Sequence, residues 1–233
     1  MPMDISIVIP VYRSAQSLKP LVDEVERYFR VSQPDKRYEL ILVDDQSGDD
    51  TAEVLKELEG RERVRVFFPQ EKLGQQKALY FGLLQARGEL AVTMDDDLQH
   101  DIVALDAMLH EIRKGADLVY GIYRNHGAGL VRGLGSRLVS RFFRRRFPVV
   151  GQGSVSSFRC IRRSVYARLV TPLPGGFVYL SAELLPFASR VANVPVERRR
   201  RRYGKSGYSL WSGIHLAWKL YRHYGNRSAK GGR

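Results

Sequence analysis

Short apolar runs and longer amphipathic stretches alternate through the first half of the chain. Ile5-Ser6-Ile7-Val8-Ile9-Pro10 is a β-branched run closed by proline, which reads as a buried strand. From Ser17 to Phe29, the apolar residues Leu18, Leu21, Val22, Val25, Tyr28 and Phe29 recur at helical spacing. Ser17 is placed there as the N-cap and Pro20 within the first turn. Glu39–Val43 predicts a second strand, and Ala52, Val54, Leu55 and Leu58 a second helix. Val64–Phe68 predicts a third strand. A helix over Gln75–Ala86 then leads through Gly88 into the run Leu90-Ala91-Val92. Such alternation means βαβ units: an α/β domain with a mostly parallel sheet and helices on both faces.

The second half is less regular. Between Arg124 and Phe147, Arg132, Arg137, Arg141, Arg144, Arg145 and Arg146 interleave with Leu130, Leu134, Leu138, Val139, Phe142 and Phe143. This predicts a basic amphipathic helix or helix pair, suited to a membrane interface or, more plainly, to a surface with its apolar stripe in the core. Tyr208–Tyr224 predicts a last helix with Trp211, Ile214, Trp218 and Tyr221 on one face and Lys219, Arg222 and His223 around it. Residues 1–225 are expected to form one domain, and residues 226–233 a basic tail.

In open parallel sheets, ligands collect at the carboxyl ends of the strands. Pro10-Val11-Tyr12, Asp44-Asp45 and Asp95-Asp96-Asp97-Leu98-Gln99 all fall there, which predicts one joint site. Three consecutive carboxylates repel one another unless paired, and hard oxygen ligands suit Mg²⁺ or Mn²⁺. Strand alternation puts Asp95, Asp97 and Gln99 on one side and leaves Asp96 as a bystander. Alone, the triplet reads equally as a solvated acidic turn; its neighbours favour the metal. No G-x-G-x-x-G follows the first strand and no G-x-x-x-x-G-K-[ST] occurs, so a Rossmann dinucleotide enzyme and a P-loop NTPase are disfavoured.

Charge sharpens the division between the halves. The net charge of +13 conceals 15 Lys/Arg against 23 Asp/Glu over residues 1–120, and 23 against 2 (Glu183 and Glu197) over residues 121–233. The second half therefore faces something anionic. Nucleic acid is the remote reading: the run Arg198–Arg202 invites it, but no recognised nucleic-acid motif is present. The single cysteine, Cys160, rules out an intrachain disulfide and fits a reducing cytoplasm. With no signal-peptide pattern and no apolar run of the ~18–20 residues that span a bilayer, the expectation is a cytoplasmic protein peripheral to the membrane.

Four stretches together resemble family 2 glycosyltransferases of the GT-A fold: Ile7-Val8-Ile9-Pro10-Val11-Tyr12, Leu42-Val43-Asp44-Asp45-Gln46-Ser47-Gly48-Asp49-Asp50-Thr51, Lys72-Leu73-Gly74-Gln75-Gln76-Lys77-Ala78 and Met94-Asp95-Asp96-Asp97-Leu98-Gln99-His100. Within that family the chain is most similar to the polyprenyl-phosphate sugar transferases, of the dolichol-phosphate mannose synthase and undecaprenyl-phosphate glycosyltransferase type. Ser156-Ser157-Phe158-Arg159 resembles their Ser-Gly-Phe-Arg element, with Ser157 in place of the glycine and Gly153 near the position of a preceding acid. Arg202-Tyr203-Gly204-Lys205-Ser206-Gly207-Tyr208-Ser209 resembles their Gly-x-Ser-x-Tyr-Ser element.

The resemblance implies a nucleotide-diphosphate sugar donor, Mg²⁺ or Mn²⁺ and a polyprenyl phosphate acceptor. It places Pro10, Tyr12, Asp44, Asp45, Gln75 and Asp95 around the nucleotide sugar, with Tyr12 stacking on the base and Asp45 hydrogen-bonding it. Asp95, Asp97 and Gln99 would hold the metal. Arg202, Lys205 and Ser206 would close over the pyrophosphate, and Arg124, Arg132, Ser136 and Arg137 would grip the acceptor phosphate. Asp97, Arg124, Arg132 and Glu183 are the candidate catalytic groups. The bacterial relatives carry C-terminal membrane helices that do not appear in this sequence, so a membrane-anchored partner protein, or the amphipathic segments alone, would hold it at the membrane. A phosphate acceptor is already ionised at neutral pH and needs no strong base, whereas a sugar or other hydroxyl acceptor would need one. Glu183 is the candidate base, with partnership to an arginine as its plainer role.

Overall fold

The apolar runs pair into a seven-stranded sheet in the order β3-β2-β1-β4-β6-β5-β7. The computed structural model describes residues 3–123, 130–199 and 210–225, with the backbone alone at 130–134, 136 and 210–212. In chain order the elements are β1 (Ile5–Val11), α1 (Ala15–Ser32), β2 (Tyr38–Asp44), α2 (Thr51–Glu59), β3 (Val64–Phe67), α3 (Gln75–Gln85), β4 (Leu90–Thr93), α4 (Leu105–Arg113), β5 (Leu118–Tyr123), α5 (Leu130–Arg146), β6 (Arg159–Arg162), α6 (Arg163–Tyr166), α7 (Leu180–Leu184), β7 (Val191–Val196) and α8 (Leu210–Tyr224).

β1 is parallel to both β2 and β4, β2 to β3, and β5 to β7. Only β6 among the described strands runs against its neighbours, antiparallel to β4 and β5. Every residue of β1 and β2 is buried, which is why these strands read as near-continuous apolar runs instead of alternating ones. Ile7, Ile9, Leu40, Leu42 and Val92 face α1, α2 and α4, while Val8, Ile41, Val43, Ala91 and Leu118 face α3, α5, α7 and α8. Each fully buried Val, Leu or Ile contributes about 1.5–3 kcal/mol, so this two-sided core dominates the stabilisation of the sheet.

Two local expectations change. α1 begins at Ala15, so Ser17 lies inside the helix and is buried, its hydroxyl donating to the Ser14 carbonyl (3.1 Å). Pro20 accordingly falls in the second turn. Ser14 takes the N-cap position, but its side chain makes no cap hydrogen bond because its hydroxyl is drawn to the acidic loop described below.

In α8 the buried stripe is Ala217, Leu220 and Tyr224; Trp218 and Tyr221 are 53% and 43% exposed. α8 crosses α5 at paired glycines: a Cβ on Gly135 would stand 3.0 Å from the Gly213 Cα. Only two glycines allow the backbones to approach so closely. No helix among the described residues is long and apolar enough to cross a membrane.

Cys160 sits in β6 at 0% exposure, and burial pushes its thiol up to about 12. A thiolate is the reactive form. The native protein should therefore leave a disulfide-exchange reagent unconsumed over minutes and react at one equivalent once denatured; rapid native labelling would contradict the packing of β6 against β4.

Candidate active site

Because β1, β2 and β4 are parallel neighbours, the segments after Val11, Asp44 and Thr93 emerge at one edge of the sheet. The reversed direction of β6 brings its entry to the same edge, with Thr93 paired to Arg159. β7 is parallel to β5 and delivers Glu197, Arg198 and Arg199 there as well; His100 forms a bridge with Arg198.

At the end of β1, Pro10 is buried in register with Val43, and Tyr12 projects with 41% exposure. The Lys72 ammonium lies 3.8 Å from the Tyr12 ring centroid and the Arg13 guanidinium 5.3 Å from it. A hydrogen bond with Lys72 lowers the pKa of the Tyr12 phenol. Asp44 is buried and turns back on its own loop, accepting from the Ser47 hydroxyl. Asp45, also buried, accepts from the backbone N–H of Leu73 (2.6 Å) and of Gly74 (2.8 Å) through Oδ1. Gly74 has φ +74°, a conformation natural to glycine, and opens α3. The order of that step places Gln75 over the acidic loop.

The acidic loop departs from strand alternation. β4 ends at Thr93, the chain bends over Asp96–Leu98, and Leu98 has φ +59°. The three carboxylates therefore go to three different sets of partners. Asp95 accepts from Gln75 Nε2 at Oδ1 (2.6 Å) and from the Ser157 hydroxyl at Oδ2 (2.8 Å). Asp96 is no bystander: it accepts from the Tyr12 backbone N–H (3.0 Å) and from the Ser14 hydroxyl, tying the β1 loop to the β4 loop. Burial pushes Asp96 up to about 6, with the Ser14 and Tyr12 donors pulling the other way. Asp97 Oδ1 accepts from the Gln99 N–H (3.1 Å).

Behind the loop, His100 is buried between the rings of Phe158 (4.9 Å) and Tyr123 (5.7 Å), both nearly parallel to it. Its Nδ1 accepts from the Asp95 N–H (3.0 Å), and burial lowers its basicity, so the ring is neutral with its proton on Nε2. Ser14, His100, Ser157 and Arg198 were not named as site residues from the sequence. Three of them carried a signal: His100 closes a resembled stretch, Ser157 stands where the resembled element has glycine, and Arg198 opens the arginine run.

The rest of the chain matches known proteins at the scale of this whole arrangement. The model for glycosyl transferase family 2 matches residues 6–169. The chain belongs to glycosyl transferase family 2. It is 29% identical over 223 residues to the undecaprenyl-phosphate 4-deoxy-4-formamido-L-arabinose transferases of Edwardsiella ictaluri and Yersinia pestis, covering 93% of this chain and 66% of each relative. The chain thus spans just under two thirds of the length of those relatives. Glucosyl-3-phosphoglycerate synthase from Mycobacterium tuberculosis, solved with Mn²⁺ and UDP-glucose, superposes with a TM-score of 0.67 at 20% identity over 97% of this chain and 80% of that one. S. aureus TarS 1-349, solved with UDP-GlcNAc, superposes at 0.59 with 16% identity over 97% and 68%. The fold is the GT-A fold expected from the sequence.

In this family 2 chain, the donor set at the acidic loop has the hard-oxygen chemistry that Mg²⁺ or Mn²⁺ requires. Among the described residues, no group of three or more His, Cys, Asp or Glu is placed to hold a metal by itself. Asp95 and Asp97 fit an ion that also takes ligands from a diphosphate. The Gln99 amide oxygen already accepts from Arg198 Nη2 (2.6 Å) and Nε (3.2 Å), so an ion there would displace that guanidinium. Arg199 is anchored between Glu24 and Asp101, the latter at 2.7 Å.

Arg124, Arg202, Lys205 and Ser206 lie outside the described residues, as do the side chains of Arg132 and Ser136 on α5; Arg137 is exposed on α5. Glu183, on α7, accepts from the Tyr224 hydroxyl of α8 (2.6 Å). α7 reaches the same edge through its first residue, whose N–H donates to Gln76 Oε1 (3.0 Å).

Removing the Asp45 carboxylate strands two half-buried N–H donors. Asp45→Ala should lower stability by about 1–2 kcal/mol, a drop of roughly 2–8 °C in Tm. An unchanged melting temperature would show that the loop before α3 does not depend on Asp45.

Proposed function

We propose that the protein is a metal-dependent, inverting glycosyltransferase that moves a sugar from a nucleotide diphosphate to a polyprenyl phosphate at the cytoplasmic membrane face. The observation that carries this reading is the convergence of Tyr12, Asp45, Asp95 and Asp97 at one sheet edge, in a family 2 chain with a strongly basic second half. The names of the curated relatives, undecaprenyl-phosphate sugar transferases, support the acceptor class.

In this mechanism Tyr12 stacks on the base, and the remaining oxygen of Asp45 accepts a hydrogen bond from it. Asp95 and Asp97 would hold Mg²⁺ or Mn²⁺, and such an ion would supply positive charge to the departing diphosphate. An oxygen of the acceptor phosphate attacks the anomeric carbon as the bond to the donor β-phosphate oxygen breaks, releasing nucleoside diphosphate. The nucleophile is ionised already, so no proton has to move. Arginine suits the acceptor's phosphate because its planar fork meets two oxygens at once. Arg124, Arg132 and Arg137, with Ser136, are the proposed acceptor contacts; Arg202, Lys205 and Ser206 are proposed for the pyrophosphate. The exposed Trp218 and Tyr221, with Lys219 and Arg222 beside them, suit the headgroup region of an anionic membrane. A membrane-anchored partner protein would strengthen that attachment.

Asp97→Ala should reduce sugar transfer from nucleotide sugars to polyprenyl phosphate by about 100-fold or more without unfolding the protein. Undiminished transfer would overturn the donor assignment. Glu183→Gln keeps the acceptor for the Tyr224 hydroxyl while removing basicity. Transfer to a phosphate should then stay within about threefold of the parent; its loss would favour the second reading, a hydroxyl acceptor with Glu183 as base.

A further inference from the structure

The segment before β6 grips the end of β4 more closely than strand pairing requires. The Ser157 carbonyl accepts from the Thr93 hydroxyl (2.6 Å), and the next side chain, Phe158, stacks on His100. Arg159 is buried between them, its Nε on the Ser156 carbonyl (2.9 Å) and its Nη1 3.4 Å from the Thr93 hydroxyl. With its carbonyl fixed on one side and Phe158 on the other, Ser157 has its hydroxyl aimed at Asp95 Oδ2 (2.8 Å). Gln75 holds the opposite oxygen, and the His100 ring holds the Asp95 backbone. Three elements from distant parts of the sequence thus fix one carboxylate at both oxygens and at its main chain.

We infer that Ser157 is a positioning residue for Asp95, setting the orientation in which that carboxylate meets the metal-bound nucleotide diphosphate. The inference rests on the donor-site reading above. His100 Nε2 also faces Asp95 Oδ2, but at 3.7 Å it lies beyond hydrogen-bond reach, so among the described residues the Ser157 hydroxyl is the donor that holds this second oxygen while Gln75 holds the first. A glycine or alanine here would preserve the main-chain contact to Thr93 and lose only this restraint.

The test is calorimetric titration of UDP and GDP, each with and without Mn²⁺, into the parent protein and its variants up to millimolar concentration. Ser157→Ala should weaken Mn²⁺-dependent nucleotide binding about tenfold, the scale of one hydrogen bond to a charged group. Its melting temperature should stay within about 3 °C of the parent. Ser157→Thr, which retains the hydroxyl, should restore binding to within about threefold of the parent. In an Asp95→Ala background, adding Ser157→Ala should cost nothing more, because the hydroxyl acts only through that carboxylate. Equal binding by the parent and Ser157→Ala, or losses that add in the double variant, would overturn the assignment while leaving the donor site intact. No binding of either nucleotide by the parent would overturn the donor-site reading, and this assignment with it.

Discussion

Three adjacent carboxylates at the end of a central strand are unstable unless each finds its own donors, and the architecture around the site follows from that requirement. Asp95 draws in Gln75 from the start of α3 and Ser157 from the entry to β6. Asp96 draws in the Tyr12 N–H and Ser14 from the loop after β1. Asp97 is met by the N–H of Gln99, whose side chain in turn holds Arg198 from the end of β7. Loops from both halves of the chain are pinned to one turn, and the charge that would scatter them holds them in place. At effective dielectric values typical of a protein surface, two like charges about 4 Å apart repel by about 4 kcal/mol, well above the worth of one ordinary hydrogen bond.

The same logic connects the site to the helices behind it. α3 opens at Gly74 because Asp45 fixes that step from β2, and this places Gln75 on Asp95 and Gln76 on α7. α7 carries Glu183 to the Tyr224 hydroxyl of α8, and α8 lies against α5 where Gly135 and Gly213 meet. A path of direct contacts therefore runs from the donor acid to the two basic helices, α5 and α8, proposed to lie at the membrane. The acidic first half and basic second half divide the proposed labour between a metal-bound diphosphate and a phosphate-bearing lipid.

Much of this was legible in the sequence. The parallel order of the first strands followed from β-branched runs spaced by amphipathic helices, and the convergence of Tyr12, Asp45 and Asp95 followed from the rule that parallel strands end at one edge. Three things were not legible. Strand alternation was extended past Thr93, so Asp96 was assigned to the wrong side of a strand that had already ended; the positive φ of Leu98 belongs to a turn that no spacing rule announces. The antiparallel course of β6 was hidden too, because direction depends on a long connection and not on local pattern. Without it, Ser157 stood as a departure from a resembled element, and His100 as an ordinary residue after the acidic run. The aromatic stripe of α8 was read as one face, but packing on α5 selects Ala217, Leu220 and Tyr224 and leaves Trp218 and Tyr221 exposed.

The central claim is that the turn after β4 holds a divalent cation bridged to a nucleotide diphosphate. Electron–nuclear double resonance on Mn²⁺ in the protein–nucleotide complex reads that bridge directly, through coupling to phosphorus. The account predicts strong ³¹P coupling from the bound diphosphate, abolished in Asp97→Ala. Protein-bound Mn²⁺ without phosphorus coupling, or coupling indifferent to the loss of Asp97, would contradict it.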